Sequence, residues 1–133
     1  MSCCESNFMF FKFISNLLMK GHISGGAVII TPPHNVTLQE GEKGEFNCEA
    51  KALPGNVTIT WKRDNVPIES LSWLDTRSLT RRDGTLIINP VSPEDMGLFT
   101  CEVSNGIGAI QRASAYLNVE CKLTVFFNYS NFL

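Results

Sequence analysis

Five stretches of this chain alternate apolar and polar residues with the period of two expected of a half-buried β-strand. Residues 44–50 place Phe46, Cys48 and Ala50 on one side. Residues 57–61 do the same with Val57, Ile59 and Trp61, leaving Thr58 and Thr60 on the other. Leu86 and Ile88 share a phase in 85–89, Phe99, Cys101 and Val103 in 97–103, and Ala113, Ala115, Leu117 and Val119 in 113–119. A β-branched run at 28–31 stops at Pro32-Pro33, which cannot donate to a ladder, and alternation resumes at 36–39. Shorter strands are expected at 66–68 and 77–80. Turns follow from residues that fix or permit special backbone angles: Glu40 to Gly44, Leu53-Pro54-Gly55-Asn56, Lys62 to Asn65, Asp83-Gly84 and Asn105-Gly106-Ile107-Gly108. Ser92-Pro93-Glu94-Asp95 reads as one helical turn, with Ser92 as cap, Pro93 at the first position and Asp95 completing a capping box. Trp73 fits no strand and is expected on a loop packed against the sheet edge.

An all-β chain of this kind acquires a sharper reading from three of its inward residues. Trp61 follows Cys48 by 13 residues, and Cys101 follows Trp61 by 40. This spacing resembles that of an immunoglobulin sandwich. The resemblance implies a Greek-key β-sandwich in which one inter-sheet disulfide joins Cys48 to Cys101 and Trp61 packs on it, with Leu86 and Phe99 in the same core. A bridge closing so long a loop stabilises by about 4 kcal/mol in the chain-entropy model. The first strand, broken in two by prolines, favours the I-set type over the constant type.

Within residues 31–120 the likeness becomes narrower. The segments PPHNVTLQEGEKGEFNCEAKALPGNVTITW, RRDGTLIINPVSPEDMGLFTCEVSNGIG and ASAYLNVE resemble an internal immunoglobulin domain of the turtle family, the immunoglobulin superfamily member 9 type. Such proteins are neuronal cell-surface molecules with several immunoglobulin domains, fibronectin type III domains and one membrane span. The resemblance implies homophilic adhesion, axon guidance and control of dendrite branching and self-avoidance. Its implied partner is a protein on an apposed cell, with the same protein as one candidate. Two other readings share the fold: an intracellular structural I-set domain of a giant muscle or cytoskeletal protein, and a secreted soluble fragment. One departure stands out. The family has tyrosine two residues before the second cysteine, where its hydroxyl bonds back to the corner backbone; this chain has Phe99. The missing bond is expected to cost about 1 kcal/mol.

The domain is expected over 28–120. Residues 1–27 read as a leader-like or foreign segment: an apolar run at 7–19 is followed by Ser24-Gly25-Gly26-Ala27, a tolerable cleavage site, but no positive charge precedes it and Lys12 interrupts it. No run reaches the roughly 20 apolar residues of a membrane span. Beyond Glu120 the alternation ends, so 121–133 is expected to be an unstructured tail or a truncated or mis-joined end.

Net charge (−2) and a pI near 5.6 give no reason to expect nucleic acid or an anionic membrane as partner. The bridge and three glycosylation acceptors, Asn35, Asn56 and Asn128, point to an extracellular or cell-surface location. Of five cysteines, Cys3, Cys4 and Cys121 are left without an assigned partner. Arg77, Arg81 and Arg82, with Lys62 and Arg63 nearby, read as a solvated strand-and-turn face. Reactive chemistry is not foreseen. His22 and His34 lie in the leader-like segment and a proline-flanked turn, Glu94 and Asp95 are accounted for by capping, and no phosphate loop, nucleophile elbow or zinc spacing occurs. No catalytic residue, metal, cofactor or small-molecule substrate is therefore expected. Function is left to surface recognition. The outward positions Thr58, Thr60, Lys62, Glu102, Ser104, Gln111 and Arg112 suggest a polar face without an apolar patch.

Overall fold

Pro32 and Pro33 split the first extended run into two strands that serve different sheets. The computed structural model describes residues 25–53 and 55–122. Strand β1 (Val28–Thr31) pairs antiparallel with β4 (Glu49–Lys51), whereas β2 (Val36–Gln39) crosses over and pairs parallel with β10 (Gln111–Glu120). One layer is five-stranded, in the order β2-β10-β9-β5-β6, with β9 at Gly97–Ser104, β5 at Thr58–Arg63 and β6 at Val66–Pro67. The other combines the β1–β4 pair with a three-stranded sheet in the order β3-β8-β7, with β3 at Gly44–Phe46, β8 at Leu86–Ile88 and β7 at Ser78–Thr80. This is the expected all-β sandwich of the immunoglobulin type.

The inward phases meet between the layers. Phe46, Cys48, Trp61, Leu86, Ile88, Phe99, Cys101, Val103, Ala115, Leu117 and Val119 are all buried. Cys48 and Cys101 are disulfide-bonded across the layers, with their Cα atoms 6.6 Å apart. The Phe46 ring lies between two others: Phe99 stacks on it at 5.2 Å between centroids, and Trp61 is tilted against it at 6.2 Å. Burial alone would leave the Trp61 indole N–H unpaired, at a cost of about 1–3 kcal/mol. It instead donates to the Gly84 carbonyl at 2.9 Å. Gly84 has φ +93°, and a Cβ there would collide with the Cys48 carbonyl oxygen and Ile59 Cδ1. Only glycine meets both conditions. The Asp83-Gly84 turn is present as expected: Gly84 N–H donates to the Arg81 carbonyl at 3.0 Å, and the Asp83 carboxylate accepts from the Thr85 N–H at 2.9 Å.

Several local expectations change. The strand over 44–50 is not continuous but divides into β3 and β4 around Asn47 and Cys48, because its partner changes from β8 to β1 at that point. Strand β5 runs on through Lys62 and Arg63, so the turn shrinks to Asp64 and Asn65. Both have positive φ (46° and 67°), which suits a two-residue hairpin and two residue types that tolerate left-handed angles. Trp73 lies not on a loop but on a single helical turn, α1 (Ser72–Asp75), half-buried with the Arg63 guanidinium 5.4 Å from its ring. Ala27, just ahead of the sequence-derived domain start, is 3% exposed and packs in the core.

Candidate recognition surface

The outward face of the five-stranded layer is organised in cross-strand rows. Register pairs Thr60 with Glu102 and Glu102 with Arg112, and the neighbouring row holds Lys62, Thr100 and Ser114. Glu102 joins the two rows electrostatically: Lys62 Nζ lies 2.5 Å from its carboxylate and Arg112 Nε 3.4 Å. The Lys62 hydrogen bond, followed by that of Arg112, holds the Glu102 carboxyl below the usual carboxylate range despite partial burial. Thr100 and Ser114 share a 2.7 Å hydroxyl–hydroxyl hydrogen bond. The third row is different. Leu98 of β9 lies opposite Tyr116 of β10, and both are exposed (43% and 47%). Asn35, just ahead of β2, continues this row: its side-chain oxygen accepts the Tyr116 N–H at 2.7 Å. The face is therefore not uniformly polar, and the expectation of no apolar patch is corrected. Leu98 and Tyr116 are 18 residues apart in sequence, and only the β9–β10 register brings them together. Gln111 also departs from expectation, since it lies opposite inward-facing Val103 and is exposed only because it sits at the end of the strand.

A family model described as an immunoglobulin domain matches residues 28–105, more than half of the chain. The chain belongs to the immunoglobulin domain family. The narrower likeness also holds. This chain is 56% identical to Protein turtle of Drosophila melanogaster over 105 residues, which is 79% of this chain and 7% of that protein. It is 42% identical to Protein turtle homolog B of Homo sapiens over 100 residues, 74% of this chain and 7% of that one. The chain thus spans less than a tenth of the length of these relatives. Among solved structures, immunoglobulin domains 1–4 of Sidekick-1 superpose with a TM-score of 0.64 at 30% identity, over 71% of this chain and 24% of that one.

Within the immunoglobulin domain the residues singled out from sequence fall into three groups. Cys48, Cys101, Trp61, Leu86 and Phe99 are brought together in the core. Asn35 and Asn56 are exposed at separate places, one at the β2 edge and one in the loop before β5, while Asn128 lies outside the described residues. Of the basic residues expected on a solvated strand-and-turn face, Arg81 and Arg82 are exposed, whereas Arg77 and Arg63 are engaged by the protein. Arg77 forms a two-pronged pair with the fully buried Asp95 (2.7 and 2.8 Å) and also donates to the Pro90 and Trp73 carbonyls. Hydrogen bonding to Asp95 raises its pKa above the ordinary guanidinium value. Arg63 donates to the Glu94 and Met96 carbonyls, and Arg81 lies 3.8 Å from Glu45.

The reading of Asp95 from sequence was incomplete. It accepts the Ser92 N–H at 2.7 Å, as a capping residue should, and anchors Arg77 as well. A signal for the pair is hard to find, since an arginine and an aspartate 18 residues apart carry no periodic mark. Among the described residues, no group of three or more His, Cys, Asp and Glu side chains is placed to hold a metal ion, and no helix is long and apolar enough to cross a membrane. What this arrangement offers chemically is a hydrogen-bonding sheet face with Leu98 and Tyr116 exposed at one end.

Proposed function

We propose that this immunoglobulin domain is an extracellular recognition module of a neuronal cell-surface adhesion protein, contacting a protein partner on an apposed cell. The first partner to test is a second copy of the same protein. The observation that carries this reading is the 56% identity to Protein turtle over 105 residues. The family resemblance extends the proposal to axon guidance and dendrite self-avoidance. The Cys48–Cys101 bridge supports it, because such bridges persist in oxidising compartments. The acceptor asparagines Asn35 and Asn56 are both exposed and open to modification. A glycan on Asn56 would cover the end of the domain near the loop before β5 and move contacts to the sheet face. Partner contact at Val57 with that glycan intact would contradict this point.

The experiment is bead aggregation. The whole chain is directed into the secretory pathway of cultured cells, captured on beads, and mixed with itself and with beads bearing an unrelated immunoglobulin domain. Aggregation confined to like beads supports homophilic contact; beads that stay dispersed refute it. Mass spectrometry of the protein isolated from its own tissue tests location: an oxidised Cys48–Cys101 pair with occupied asparagines supports the extracellular reading. Free thiols with no glycan reverse it in favour of an intracellular structural domain.

A further inference from the structure

Close to the point where β10 ends, a groove of about 390 Å³ opens to solvent. Trp73, Pro90 and Val91 give it apolar surface, and Glu40, Arg77 and Glu94 are its charged residues. Backbone bonds hold the side formed by the turn after β2. Glu40 N–H donates to the Glu120 carbonyl at 2.8 Å, Gly41 N–H to the Val91 carbonyl at 2.9 Å, and Val91 N–H to the Glu42 carbonyl at 2.8 Å. On the side of α1, Arg77 ties the Trp73 carbonyl to Pro90 and Asp95. The groove is therefore preformed, and its volume is within the range of about 300–1,000 Å³ that holds small ligands.

Charge decides what it takes. Arg77 contributes no free positive charge, since Asp95 matches it in a two-pronged pair. Arg63, whose guanidinium lies 5.4 Å from the Trp73 ring, is met by Asp64 at 3.3 Å. Glu40 and Glu94 are exposed, and no hydrogen bond or ion pair engages either carboxylate among the described residues. By contrast, Glu42, Glu45, Glu49 and Glu102 each accept from a donor of the domain. Two uncompensated carboxylates thus border an apolar surface in one groove. That combination suits a side chain with an apolar stem and a cationic tip. A guanidinium fits better than an ammonium, because its fixed fork can serve carboxylates on two sides and its plane packs on an indole. Arg63 shows that the Trp73 ring accepts one.

We propose that this groove is a docking site for an arginine side chain presented by a protein partner. Glu40 and Glu94 hold the guanidinium, and Trp73, Pro90 and Val91 carry the stem. The site is distinct from the sheet rows around Glu102 and Thr100, and it lies beside Glu120, where the chain leaves the sheet. This contact rests on the recognition reading of the domain and names one partner group within it.

The test is an NMR titration of the whole chain with N-acetyl-glycyl-arginyl-glycinamide, and with the same peptide carrying citrulline, which keeps the shape of arginine without its charge. The Trp73 indole N–H is the reporter, assigned through Trp73→Phe. The Trp61 indole, buried and bonded to Gly84, is the internal reference. The arginine peptide is expected to move the Trp73 signal with a dissociation constant on the order of millimolar, as suits one side chain. Affinity should fall about fivefold with citrulline and in Glu40→Gln/Glu94→Gln, and fall with added salt. A Trp73 signal that stays still up to about 50 mM peptide overturns the proposal. Equal binding of the citrulline peptide, or undiminished binding by the double variant, overturns it as well, and a lysine peptide that binds as tightly as arginine overturns the choice of arginine. The citrulline comparison needs no substitution, so a variant that fails to fold leaves the proposal open to refutation. Only the groove is read, so a silent Trp73 leaves the bead-aggregation result standing, and dispersed beads leave the peptide result standing.

Discussion

Replacing Asp95 by asparagine isolates the interaction that ties the β9 approach to the helical turn and β7. Asp95 is fully buried and accepts three hydrogen bonds, two from Arg77 and one from the Ser92 N–H. Asparagine can keep the one oxygen that accepts both the Ser92 N–H and Arg77 Nη1, but it loses the charge and its NH2 group then faces Arg77 Nη2, which can only donate. Removing one partner of a buried pair costs about 3–5 kcal/mol, since the other charge stays behind uncompensated. The Arg77 side chain is 22% exposed and retains the Pro90 and Trp73 carbonyls, which argues for the lower end, about 3 kcal/mol. For a domain of this size that is a fall in melting midpoint on the order of 15 °C. Urea denaturation followed by far-UV circular dichroism measures it, run on wild type, Asp95→Asn, Arg77→Met and the double variant. The double variant should lose less than the sum of the singles, because neither charge is then stranded. A loss below about 1 kcal/mol in Asp95→Asn, or additive singles, would refute the reasoning.

Three further outcomes follow from the same geometry. Gly84→Ala meets the Cys48 carbonyl and the Ile59 side chain at a positive φ, so urea denaturation should show a loss of about 3 kcal/mol; a loss under about 1 kcal/mol would show that the turn relaxes freely. Glu102 has a folded-state pKa below its ordinary 4.5, so its contribution is present above that pH and disappears as pH falls through the folded value. Glu102→Gln should therefore cost up to about 1 kcal/mol at neutral pH and nothing at pH values where wild-type Glu102 is protonated, and a pH-independent difference would argue against the Lys62 and Arg112 contacts. Phe99→Tyr should raise the melting midpoint by restoring a corner hydrogen bond worth about 1 kcal/mol, and an unchanged or lower midpoint rejects that account.

Strand positions were legible because each strand buries one face, so the alternation around Phe46, Trp61, Leu86, Phe99 and Leu117 records which side meets the other sheet. The disulfide was legible only through the spacing around Trp61, which carries a known architecture with it. Pairing was harder to read. Nothing in Asn47 or Cys48 indicates that one strand leaves β8 and joins β1, since that depends on where another strand ends. The Arg77–Asp95 pair was hidden for the same reason, each residue having a sufficient local explanation as a surface arginine or a cap. Leu98 and Tyr116, taken singly, are exposed apolar residues of a kind ordinary on any protein surface. They become a surface feature only once β9 and β10 are set in register beside Asn35.

The proline break after Thr31 has a consequence for how the domain meets its neighbours in a crowded solution. With β1 laid along β4 and β2 laid along β10, one broken segment supplies a short edge strand to each layer. The outermost strands are all short: β1 and β2 have four residues each, β3 and β7 three, and β6 two, ending in Pro67. An unpaired flank is a template for another chain only if it is long enough to hold a ladder. Two prolines near the start of the domain thus hold β1 and β2 to four residues each and leave little for a misfolded or foreign strand to grip.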